Sequence, residues 1–159
     1  MNSEISFLVS QMKDTYDGNP WYGRSIRELL NEVDESIAFQ KTSGQHSIVE
    51  LLWHMCTWKA FTISRLLENE TKTVQQFEEE DWRVLDHSNQ NLWKEGIAEF
   101  DRMHHELLHI LGKQDDSILD NTVKGRDYNF RHLLNGIIQH DIYHAGQIAY
   151  VWKMLRREV

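Results

Sequence analysis

The chain has 159 residues, 40% of them hydrophobic, and its 25 acidic side chains outnumber the 17 basic ones to give a formal charge of -8. That hydrophobic share excludes a disordered polymer, and the acidic excess, with no stripe of Lys and Arg, makes nucleic-acid binding unexpected. A lone cysteine, Cys56, no apolar run of the about 18 residues that cross a bilayer, and no secretory pattern in Met1 to Ser10 point to one cytoplasmic domain over residues 1–159.

Apolar residues three and four apart dominate, and the single proline is Pro20, so the fold class read from the chain is all-α. A first helix is predicted over Ser3 to Tyr16, with Ile5, Leu8, Val9, Met12 and Tyr16 on one face. It stops at Asp17-Gly18-Asn19-Pro20, a dense turn signal. Ser25 followed by Glu28 is a capping box, opening a short second helix with Ile26, Leu29, Leu30, Val33 and Ile37 on its apolar side. Ser47 and Glu50 repeat the device ahead of a long helix to about Glu68, with Ile48, Leu51, Leu52, Met55, Ile63 and Leu66 inward.

The charged stretch from Asn69 to Gln90 reads as a connection with one or two helical turns, anchored by Phe77, Trp82, Val84 and Leu85. A third long helix carries Leu92, Ile97, Phe100, Met103, Leu107 and Leu111, and Gly112 stands where a left-handed cap would end it. After a polar link from Lys113 to Asp127, Phe130 to Arg157 forms the longest helical pattern. Four principal helices with long crossovers suggest a four-helix bundle, a fold whose core often holds metal sites.

The apolar stripe of the last helix runs Leu133, Ile137, His140, His144, Ile148, Val151, Leu155, so two histidines occupy inward positions. Residues four apart share a helix face, so both imidazoles can address one point, as in paired-histidine metal sites. A single buried histidine is commonly satisfied by a hydrogen bond, but two at one level need two sets of partners or one metal ion. His54, beside Leu51, Trp58 and Phe61 at helical spacing, is the third candidate ligand. Three protein ligands leave positions for water or substrate, as in a catalytic site.

Other polar residues carry two readings. His105 and His109 are also four apart, but with His104, Glu106 and Asp101 they read as a solvated face. His46, His87 and His132 read as surface or cap positions. Cys56 reads as a small buried hydrophobe. Glu50 is a cap or a general base, and Gln147 is a hydrogen-bonding support for His144 or packing polarity.

Gly136-Ile137-Ile138-Gln139-His140-Asp141-Ile142-Tyr143-His144-Ala145-Gly146-Gln147-Ile148, together with His46-Ser47-Ile48-Val49-Glu50-Leu51-Leu52-Trp53-His54 and the early Pro20-Trp21-Tyr22-Gly23, resembles the DinB superfamily of YfiT-like metal-dependent enzymes. The likeness spans about Gly18 to Lys153. It implies an antiparallel four-helix bundle with a long crossover, often a homodimer, and a nickel or zinc ion held by His54, His140 and His144. Members of such a family include transferases of low-molecular-weight thiols and an isomerase dependent on mycothiol. The function expected is therefore a metal-dependent thiol S-transferase or hydrolase acting on a small-molecule substrate. The alternative is a non-catalytic metal-binding, small-molecule-binding or stress-response module. A pure dimerisation scaffold would instead present Leu134, Ile138, Ala145, Ala149 and Trp152 to a partner.

Overall fold

The computed structural model describes residues 3–41, 44–69 and 71–156. Among them the chain forms helices α1 (Ser3–Asp17), α2 (Ile26–Glu32), α3 (Glu35–Ala38), α4 (Ile48–Leu66), α5 (Val74–Glu79), α6 (Leu92–Leu111) and α7 (Phe130–Leu155), and no strand. The all-helical expectation holds. The end expected for the last helix, Arg157, lies outside the described residues.

Local chemistry sets most of the boundaries. Both predicted capping boxes form: Ser25 and Ser47 accept from the backbone N–H of Glu28 and Glu50, whose carboxylates accept in return. Thr73 and Gln76 build a third at the start of α5, inside the stretch read as a connection. The second predicted helix divides, because Val33 turns extended at φ -76° and ψ 119° before α3 begins. One capping partner comes from far along the chain: the Asp116 carboxylate accepts from Ile5 N–H at 2.9 Å, in the first turn of α1.

The left-handed cap expected at Gly112 is not formed. Gly112 stays right-handed at φ -63°, and α6 closes by tight bonds from Lys113 and Gln114 to the carbonyls of Ile110 and Leu111. A left-handed ending occurs instead after α4, where Glu68 has φ 52°. There Asn69 N–H reaches the Ser64 carbonyl and Glu68 N–H the Arg65 carbonyl, the paired bonds of a Schellman ending.

In packing, α4 lies against α6 and α7, while α1 meets α6 and α7 from the other side and α2 rests on α1 and α7. Gly96 permits close approach of α6 to α4, since a Cβ there would stand 3.0 Å from Leu52 Cδ2. Leu8, Leu52, Phe61, Phe100, Leu107, Leu134 and Ile148 are fully buried in one continuous core, each worth about 1.5–3 kcal/mol of burial. Of the face that a scaffold would offer a partner, Leu134, Ile138 and Trp152 are buried inside the chain, while Ala145 and Ala149 are half-buried. No helix among the described residues is long and apolar enough to cross a membrane.

Candidate metal centre

The contact between α4 and α7 brings together the three histidines singled out in the sequence. His54 projects from α4, and His140 and His144, one turn apart on α7, meet it. The Nε2 atom of His54 lies 2.9 Å from Nε2 of His144 and 3.0 Å from Nε2 of His140. His54 and His144 are buried, and His140 is half-buried. Such spacing is within reach of one ion with imidazole nitrogens about 2.0–2.1 Å away.

The outer nitrogens decide what these rings can do. Nδ1 of His54 stands 2.9 Å from the Asp81 carbonyl oxygen and 3.1 Å from Asp81 Oδ1, both acceptors, so it carries the ring proton. Nδ1 of His144 donates to Gln147 Oε1 at 2.6 Å, with the amide nitrogen of Gln147 turned to the Tyr143 hydroxyl. Both neutral rings therefore present bare Nε2 lone pairs to each other at 2.9 Å. Two lone pairs cannot bond, and a proton from His140 would satisfy only one. A cation satisfies all three, so these residues fit a divalent metal ion.

Electrostatics point the same way. Burial, with the neighbouring His140 next in weight, pushes the His144 imidazole down to about 4. Burial also lowers His54, outweighing the acceptor at Asp81. Ligand imidazoles must be neutral, and these two are neutral at physiological pH without help from an ion.

Trp82 covers the centre from the α5–α6 connection. Its ring lies parallel to His54 at 4.0 Å and to His46 at 3.6 Å between centroids, a sandwich over the α4 ligand. Trp58 Nε1 donates to Asp81 Oδ1 at 2.5 Å and holds that connection in place. Two cavities reach the candidate ligands, and another is lined by their neighbours Trp82 and Gln147. One of about 170 Å³ is walled by Trp58, Phe61, Tyr128, Leu133 and Ile137 and reaches His140. One of about 400 Å³ lies among His46, Trp82, Tyr143, Gln147 and Tyr150. A third, of about 290 Å³, is bounded by Lys41, Glu50, His54, Arg83 and His87.

The remaining sequence candidates separate. Gln147 supports His144, as an acceptor. Glu50 lines a cavity beside His54, but its carboxylate closes the α4 capping box and accepts from Lys41 Nζ at 2.8 Å. Burial raises its pKa, and the Lys41 and Ser47 bonds more than reverse this, leaving it below the ordinary carboxyl value. Cys56 is fully buried and its thiol is pushed up to about 12 by burial. His105 and His109 are exposed as expected, whereas His104 is a correction: it is buried and stacks on Tyr16 at 4.0 Å. A ring one position from His105 turns inward because 100° per residue carries it to the Leu107 side of α6.

Sequence reasoning missed four residues: Asp81, Trp82 as a cover, Lys59 and Asp141. Lys59 Nζ lies 2.7 Å from Asp141 Oδ2, and both are buried. Burial raises the Asp141 carboxyl, but the Lys59 ammonium and His140 bring it below the ordinary value. Asp141 directly follows a proposed ligand in the chain, which was the available signal; Lys59 had none, since lysine on a long helix ordinarily reads as solvated.

An all-helical protein with three histidines able to share one metal ion is the class that fold and site define. The DinB family matches residues 9–156, a span that includes all three histidines, and the chain belongs to that family. Searches among curated proteins and among solved structures found no match.

Proposed function

We propose that this chain is a metal-dependent enzyme acting on a small molecule, either transferring a low-molecular-weight thiol to an electrophile or hydrolysing its substrate. The observation that carries this reading is the convergence of three imidazole nitrogens, two of them bare lone pairs held 2.9 Å apart by the bonds of Asp81 and Gln147 on their far sides. The chemistry a divalent ion supplies in an open three-histidine site is Lewis-acid activation of a thiol or a water molecule. Imidazole suits nickel and zinc alike.

The chain's own residues support a co-substrate nucleophile. Its one thiol, Cys56, is sealed in the core and stays protonated at neutral pH. Asp81 and Gln147 orient the ligands, and Trp82 shields His54 from bulk water. The apolar cavity reaching His140 offers room for a small partner at the ligands, and a more polar one lies beside Gln147.

Elemental analysis of gently purified protein, beside a variant carrying His140→Ala and His144→Ala, tests the reading. Near-stoichiometric nickel or zinc in the parent, lost from the variant, together with metal-dependent turnover in a thiol-transfer or ester panel, is the expected result. Turnover that survives complete metal removal would sink it.

A further inference from the structure

Among the described residues, two buried polar atoms next to the candidate centre, His140 Nδ1 and Asp141 Oδ1, have no hydrogen-bond partner. They stand 3.9 Å apart, too far for a hydrogen bond and close enough that a small torsional change would make one. The other oxygen of that carboxylate is anchored, because Asp141 Oδ2 accepts from Lys59 Nζ at 2.7 Å. Lys59 sits on α4 and Asp141 on α7, so the pair ties together the two helices that carry the ligands.

The three rings are unequally supported. His54 and His144 each have an acceptor on Nδ1, whereas the ring of His140 has none in bonding distance. An imidazole that gives Nε2 to a metal must carry its proton on Nδ1, and a buried N–H needs an acceptor. Within the described residues the neighbouring acceptor with free capacity is Asp141 Oδ1. The Lys59 ammonium, 2.7 Å from Oδ2, engages that oxygen and leaves Oδ1 as the one with capacity to accept.

We infer that Asp141, anchored by Lys59, is the positioning residue for His140, accepting its Nδ1–H when Nε2 binds the ion. The inference rests on the metal reading above. It assigns the buried Lys59–Asp141 pair to the metal site, where it completes a set of three supported rings: a backbone carbonyl for His54, an amide for His144 and a carboxylate for His140.

The test is zinc affinity by chelator competition, with thermal melting of the zinc-free protein measured in parallel. Asp141→Leu alone strands the Lys59 ammonium, and an asparagine would keep an amide acceptor, so the informative variant is Asp141→Leu with Lys59→Met, which removes both charges and the acceptor together. The expected result is a loss of about ten- to hundredfold in zinc affinity while the zinc-free melting temperature stays near the parent's. Parent-like zinc affinity in the double variant overturns the inference and leaves the metal reading standing. A parent that binds neither zinc nor nickel overturns both. A measurement without any substitution decides if the variants fail to fold: nitrogen NMR of the zinc-loaded parent should show His140 bound through Nε2 with a slowly exchanging Nδ1–H. Coordination through Nδ1, or an Nδ1–H that exchanges freely with water, overturns the assignment.

Discussion

His54 and His144 face each other across 2.9 Å with their protons on the far nitrogens, where Asp81 and Gln147 accept them. In the metal-free protein this is an unfavourable meeting of lone pairs inside the core, and it is relieved when a cation is shared.

Zinc should therefore stabilise the folded chain strongly. At a free concentration about a hundredfold above its Kd the gain is about 2.7 kcal/mol, and melting should rise by roughly 5–11 °C for a domain of this size. Scanning calorimetry with and without a chelator reads the shift. No shift with either zinc or nickel would remove the case for a metal centre.

Gln147→Ala should lower zinc affinity about ten- to hundredfold by freeing the His144 ring. The side chain is half-buried at the helix surface, so the metal-free melting temperature should change little. Chelator competition gives the affinity, and an unchanged value would mean that packing alone holds His144.

His104 predicts acid sensitivity that is independent of the metal. Burial, reinforced by Lys59, lowers its pKa from 6.5 to about 3. Between those values the unfolded chain binds a proton that the folded chain does not, so stability falls as pH drops below about 6.5 and goes on falling toward about 3. Urea midpoints of zinc-free protein at pH 7 and pH 4.5 measure the slope. His104→Gln should make it shallower, the lowered His54 and His144 supplying the remainder, and a slope equal to the parent's would place the acid sensitivity elsewhere.

Glu68 occupies the left-handed region at φ 52° on an exposed helix end. Glu68→Gly should stabilise the protein by about 1 kcal/mol, because glycine enters that region without a Cβ penalty. Thermal melting should move up by roughly 2–4 °C. A lower melting temperature would show that glycine's added freedom in the unfolded chain outweighs the relief.

Fixed local chemistry made much of this protein legible in one dimension. Ser25 with Glu28 and Ser47 with Glu50 announced their helices because a capping box needs only residues three apart. The stripe through Leu133, Ile137, His140 and His144 marked one face of α7 because 3.6 residues make a turn. With His54 at an inward position on α4, the candidate ligands could be named before any contact was known. What only the tertiary structure decided lies in relations between distant segments, which periodicity does not encode. Asp81 and Trp82 come from a connection with weak pattern, and only its path across α4 puts a carbonyl behind His54 and an indole over it. Lys59 reads as a solvated charge until α4 is laid on α7 and its ammonium meets Asp141. Gly112 invited a left-handed cap that α6 did not need, because tight bonds to the carbonyls of Ile110 and Leu111 had already closed the helix.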